Sequence, residues 1–452
     1  MFICTLTNKC LESGLEIYSM SDVNKSQTLA QKIIAKASGK EHVSPGEIVT
    51  CKLDLVLMHD SSGPRRVKSR LEELGAKVFN PSKVVLVSDH FVPATDPESA
   101  EILALTRRWA EDNNIDNFYD MQGICHVMLP QQGHLKPGMF IVGGDSHSPT
   151  GGAFGTFMVG IGATEMTGVL ATGEIWIKVP ETIRIHISGK LQLGCSAKDI
   201  MLHLCAKLGM NNNYKVMEFA GETVENMSMY ERMVLCNMSA ELGGKTGIVE
   251  ADQTTINWIN NTGKTAPIDS LHWKSDKDAI YDKIITLDAN KLAPQVAAPH
   301  SPENTHPITE IDAVKIHQAY IGACTGAKLS DLKMAASVLK GRKVAKGTRL
   351  LVAPASIKTT DQAAKDGTLA ILTDAGAIIL PTGCGACAGM GAGAIANGEN
   401  CISSTSRNFK GRMGSPNSNV YLASPFTVAA CAITGTITDP RQFLLGEDND
   451  KK

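Results

Sequence analysis

Three cysteines in this sequence stand among glycines rather than in apolar runs. Cys324 lies in Ile321-Gly322-Ala323-Cys324-Thr325-Gly326, and Cys384 and Cys387 lie in Pro381-Thr382-Gly383-Cys384-Gly385-Ala386-Cys387. A Cys-x-x-Cys pair brings two thiolates within reach of one metal centre, and glycines let backbone amides approach and donate to the sulfurs. Three chemistries are open on this spacing. A structural zinc site ordinarily takes four Cys or His ligands as two close pairs, and only one close pair is present. A redox dithiol of the thioredoxin kind belongs at a helix start in a much smaller domain. Three cysteines also suit a 4Fe-4S cluster whose fourth iron is left open to substrate as a Lewis acid. Others of the twelve cysteines, such as Cys51, Cys205 and Cys431, sit in apolar stretches and read as reduced core thiols.

A second set of chemical groups recurs at strand ends. His59-Asp60, Asp89-His90 and Asp145-Ser146-His147 each close a short apolar run. In open α/β sheets the carboxyl ends of the strands line the ligand crevice. One such loop means little, but three together point to a site.

The elements that must position these groups alternate. Apolar spacing predicts helices over 27–38, 65–74 and 95–114. It predicts strands over 47–58, 83–87, 139–142 and 182–188. Strand-helix alternation of this kind gives α/β architecture with a mainly parallel sheet. Composition shifts near Val179-Pro180, and the Pro-, Ala- and His-rich stretch 291–307 reads as a linker. The expected organisation is a poorly structured extension over 1–26, α/β domains over 27–180, 181–300 and 301–447, and a charged tail over 448–452. The segment before Met20 reads as an extra stretch ahead of a second start, not as a secretory signal, because Asn8, Lys9 and Glu12 interrupt its apolar run.

A net charge of -2 argues against nucleic acid or an anionic membrane as the main partner. No apolar run reaches the roughly 20 residues that a membrane span needs. A cytoplasmic protein is expected.

Eight motifs, in order, carry a family resemblance over about 27–446. They are H-D-S-S-G-P at His59, D-H-x-V-P-A at Asp89, G-I-C-H at Gly123, G-G-D-S-H-S-P at Gly143, C-N-M-S-A-E at Cys236, I-G-A-C-T at Ile321, G-C-G-A-C at Gly383 and S-R-N-F-K-G-R at Ser406. With these the chain resembles the aconitase superfamily, most closely the large subunits of two-chain isopropylmalate isomerases and homoaconitases. The resemblance implies three α/β/α domains around a 4Fe-4S cluster, with Cys324, Cys384 and Cys387 as ligands. It implies that His90, oriented by Asp89, protonates a leaving hydroxyl. Asp145, His147 and His126 would surround that hydroxyl and the cluster-bound water. Glu241 would lie near the water, Asn237 and Ser406 near the cluster. His59, Ser146, Arg407 and Arg412 would bind substrate, with Arg407 clamping a carboxylate.

Two departures stand out. Gly326 replaces the asparagine usual after the Cys-Thr of the first ligand loop, and Ser406 replaces an asparagine before Arg407. The loop from Ser148 to Gly152 is also closer to aconitases than to common isopropylmalate isomerases. The swivelling domain of single-chain aconitases, with its serine base, finds no room after Gly446. The resemblance therefore implies a small swivel-domain subunit, in a heterodimer or heterotetramer, and inactivity of this chain alone. The expected substrate is a small hydroxy acid, with 3-isopropylmalate of leucine synthesis first. Homoaconitate, citramalate, dimethylmalate and an aconitase-like reaction are the alternatives. A cluster-sensing RNA-binding protein would need a basic face, which the net charge does not support. A degenerate, cluster-free subunit would not keep all three cysteines.

Overall fold

A computed structural model describes residues 26–444. Both the expected extension up to residue 25 and the charged tail over 448–452 lie outside the described residues.

The first large sheet is parallel throughout, in the order Phe118–Asp120, Val84–Ser88, Leu55–His59, Phe140–Gly143, Phe157–Gly160. From the central strand Leu55–His59 the chain first winds to one side, then returns to fill the other. The direction of winding therefore switches between Leu55–His59 and Phe140–Gly143, where the crevice of such a sheet opens. All five residues of Leu55–His59 and of Val84–Ser88 are buried, as strands covered on both faces must be.

The stretch 47–58, expected as one alternating strand, is two. Ile48–Lys52 alternates and pairs antiparallel with Glu174–Lys178, while Leu55–His59 is fully buried and enters the parallel sheet. Asp54 makes the break: its amide donates to the Phe140 carbonyl, and its carboxylate accepts from the Phe140 amide at 2.9 Å.

The second sheet has four parallel strands, in the order Thr246–Val249, Val216–Ala220, Thr182–Ser188, Lys283–Asp288. The third has seven strands, running from Thr305–Pro307 through Gln295–Ala297, Asn419–Ala423, Asn400–Ser403, Gln318–Ile321 and Arg349–Val352 to Ile378–Ile379. The last five of these are parallel, and the winding switches between Gln318–Ile321 and Asn400–Ser403. The stretch 291–307, expected as a linker, contributes two antiparallel strands to this sheet. Proline punctuates it, but Gln295, Val296 and Ala297 are buried and satisfy their backbone by pairing. Gln295–Ala297 thus joins the third sheet ahead of the boundary expected at residue 300. Among the described residues no helix is long and apolar enough to cross a membrane.

Candidate active site

Two of the sheets aim their switch points at the chemistry. Beyond the carboxyl ends of the first sheet lie His59, Asp89, His90 and Asp145. Beyond those of the third lie Cys324, then Cys384, Cys387 and the segment 404–407. Glycine-rich turns let each loop leave its strand abruptly.

Asp89 ties the first set together. One carboxylate oxygen lies 2.7 Å from His90 Nδ1. The other accepts the Cys125 amide at 2.7 Å and lies 3.7 Å from Cys384 Sγ. Its carbonyl accepts the Cys384 amide at 2.8 Å. Beneath it, buried Asp60 accepts the amides of Asp89, His90 and Phe91 at 2.9–3.3 Å, which fixes the loop. Burial and the neighbouring Asp89 charge push Asp60 up to about 6.

The rings of His59 and His90 stack at 4.1 Å, yet their environments push them apart. Burial, and next the His90 charge, push His59 down to about 4. Burial opposes a charge on His90 too, but the Asp89 carboxylate overrides it and raises His90 to about 9. A neutral and a charged imidazole side by side make the pairing of opposite tendencies expected of acid-base sites. His59 Nε2 lies 3.9 Å from Asp145 Oδ2, joining this group to the next.

Asp145 Oδ1 lies 2.8 Å from His126 Nε2 and accepts the His147 amide at 2.7 Å. His147 Nε2 lies 2.9 Å from Glu241 Oε1 and 3.1 Å from Ser406 Oγ. Arg407 Nε donates to the same Glu241 oxygen at 2.7 Å. Burial would neutralise Glu241, but His147 and Arg407 hold it below the usual carboxylate range. Asn237, at the end of helix Met229–Asn237, donates to Cys324 Sγ at 3.1 Å and to Thr150 Oγ1 at 2.7 Å. Arg412 acts electrostatically on Cys387, and its buried Nε has no partner among the described residues. Ser146, between Asp145 and His147, is exposed at the tip of its turn.

Sequence reasoning left out three groups. Lys198 is wholly buried on helix Ala197–Leu208 and donates to the Ser404 carbonyl at 3.3 Å and to that of Thr405. Burial pushes it down to about 8, against the pull of Glu241 and Cys387. Asp60 was visible in its motif but not as the loop's anchor. Tyr320 reads as an ordinary strand aromatic. Nothing in the apolar helical pattern around Lys198 marks it.

The departure at Gly326 has a steric reason. A Cβ there would sit 2.1 Å from Ser404 Oγ and 2.7 Å from the Ser404 carbonyl oxygen. Ser404 cannot withdraw, because its hydroxyl accepts the Gly322 amide at 3.1 Å and its carbonyl accepts Thr325 Oγ1 at 3.0 Å. Gly326→Ala is expected to destabilise the chain by about 1–3 kcal/mol through overpacking. Chemical denaturation checks this, and an unchanged midpoint would mean that Ser404 yields.

The aconitase family model (aconitate hydratase) matches residues 31–435. The chain belongs to the aconitase family. It is 46% identical over 421 residues to the protein named 3-isopropylmalate dehydratase large subunit 1 of Methanopyrus kandleri, covering 92% of this chain and 100% of that one. It is 44% identical over 418 residues to the probable 3-isopropylmalate dehydratase large subunit of Methanothermobacter thermautotrophicus, with 92% and 99% covered. It is also 44% identical over 420 residues to the methanogen homoaconitase large subunit of Methanocaldococcus jannaschii, with 91% and 99% covered. The solved aconitase X of Thermococcus kodakaraensis matches at a TM-score of 0.46 and 14% identity, over 79% of this chain and 84% of that one, a likeness too loose to carry an argument.

Membership in the aconitase family implies an iron-sulfur cluster. The residues here fit one. Cys324, Cys384 and Cys387 are free thiols, and burial pushes all three upward as acids, Cys324 to about 12. Such thiols hold their protons unless a metal centre takes them. Around them, Tyr320 Oη, Asn237 Oδ1 and Arg412 Nε are buried polar atoms without partners among the described residues.

Proposed function

We propose that this chain is the cluster-bearing large subunit of a two-chain cytoplasmic hydro-lyase that dehydrates 3-isopropylmalate and rehydrates the alkene at the neighbouring carbon. The observation that carries the reading is the double role of Asp89, which orients His90 and anchors the Cys384 loop. Proton donor and ligand loop are thereby fixed to one side chain.

Cys324, Cys384 and Cys387 would hold a 4Fe-4S cluster. That group supplies a Lewis acid for a hydroxyl and a carboxylate. His90 donates a proton to the departing hydroxyl through Nε2, since Nδ1 is held by Asp89. Asp145 orients His126 and His147 around that oxygen. Glu241, kept ionised by His147 and Arg407, accepts a hydrogen bond from water there. Arg407 clamps a substrate carboxylate with the guanidinium nitrogens that Glu241 leaves free. Arg412 adds a second cation, and His59 and Ser146 complete the substrate contacts. A base on the small subunit removes the proton alpha to the carboxylate. The relatives named as large subunits support the partner and the substrate. The homoaconitase large subunit, 44% identical, makes homoaconitate the second candidate.

Because His90 sits near 9, kcat/KM is expected to fall as pH rises through about 9. The stability that His90 contributes has the same sign. It is fully present below the ordinary value of about 6.5 and lost as pH passes the folded value. Asp89→Asn should move this alkaline limb down toward the ordinary histidine range. Identical pH-rate profiles for parent and variant would separate His90 from proton donation. The function itself is tested by purifying the chain with a small subunit, loading the cluster and assaying several hydroxy acids. Turnover of 3-isopropylmalate with the highest kcat/KM is expected. Turnover by the large chain alone, or none on any malate-type acid, would contradict the reading.

A further inference from the structure

Tyr320 is wholly buried in strand Gln318–Ile321. Its ring explains Gly322, where a Cβ would meet the ring at 2.2 Å and the hydroxyl at 2.6 Å. The same hydroxyl lies 3.4 Å from where a Cβ on Gly385 would stand. The phenol therefore closes the space between the Cys324 loop and the Cys384–Cys387 loop.

Phenylalanine would fill that space equally well, so the hydroxyl needs its own account. Its proton has no acceptor among the described residues. The backbone group that acts on its oxygen, the Ala386 amide, is a donor and takes no proton from it. Burial pushes the phenol's ionisation up, and Cys387 and Cys384 add to the effect, so both sulfurs lie within its electrostatic reach. A buried, unpaired hydroxyl destabilises a fold unless something satisfies it.

We propose that the Tyr320 hydroxyl donates a hydrogen bond to an inorganic sulfide of the bound cluster and thereby sets its reduction potential. The inference rests on the cluster reading above. A donor to sulfur withdraws electron density and favours the more negative, reduced form. Tyr320 touches no substrate, so its role is positioning and tuning rather than catalysis.

The test compares the full chain with Tyr320→Phe, both reconstituted anaerobically with iron and sulfide. An EPR-monitored redox titration should place the variant at a more negative potential. Iron-sulfur stretching modes should shift further in deuterated buffer for the parent than for the variant, which keeps only the remaining donors such as Asn237. The cluster-free variant should melt close to the cluster-free parent, because the change removes a hydroxyl whose oxygen takes only the Ala386 amide and whose proton has no acceptor there. A variant that loses its cluster outright while melting normally without it supports the inference. Equal potentials with equal deuterium response overturn it. A parent that takes up no iron overturns the cluster reading as well, and its iron content tells the two failures apart.

Discussion

Cys387→Ala is expected to leave the chain unable to retain its cluster and to abolish turnover. In the proposed centre three thiols are the whole anchoring set, so removing one leaves two attachments where three are needed. Cys387 also sits where loss is hardest to compensate. The Ser406 amide and the cations of Arg412, Arg407 and Lys198 all favour its thiolate. Iron and sulfide content per chain after anaerobic reconstitution, read beside charge-transfer absorbance, checks the prediction. Cys431→Ala is the control. Cys431 is buried in helix Pro425–Thr434, far in sequence from either ligand loop. Its loss should cost about 1 kcal/mol of packing and leave the cluster in place. A full cluster in Cys387→Ala would mean that another thiol anchors it. Cys125 would be the first suspect, because its amide and the Cys384 thiol meet the same Asp89 oxygen.

His90→Asn carries the second large effect. It should lower kcat by about 10²–10⁴-fold, the usual share of general acid-base catalysis, while iron and sulfide content stay at the parent's level. The separation follows from geometry, since His90 contacts Asp89 and stacks on His59 while the Cys384 loop is held by other atoms of Asp89. Asparagine keeps a polar group near the Nδ1 position but has no proton to give at the distal one. Steady-state kinetics against metal analysis decides it. A kcat within a factor of about three of the parent would remove His90 from the chemistry.

Much of this site was legible in the sequence because loop motifs carry their chemistry locally. Asp89 and His90 are adjacent, Asp145 and His147 are two apart, and the Cys-x-x-Cys loop names itself. What no local pattern reveals is how the loops meet. The Asp89–Cys384 link spans 295 residues of chain and the Ser406–His147 contact 259. Only the two winding switches bring such pairs together. Lys198 stayed hidden for a related reason, since a lysine in an amphipathic helix reads as solvated until a neighbouring loop covers it. The strand break at Asp54 and the strands within 291–307 were missed because their partners, Phe140 and Asn419–Ala423, lie far along the chain. Tertiary pairing overrode the local pattern there.

An open iron has its most direct signature in the state of the cluster iron itself. Mössbauer spectra of the chain reconstituted with its small subunit should show a 4Fe-4S centre. About a quarter of the iron signal should change when 3-isopropylmalate is added, as one open iron among three cysteine-bound ones requires. A spectrum in which substrate moves none of the iron, or in which no such centre forms, would contradict it.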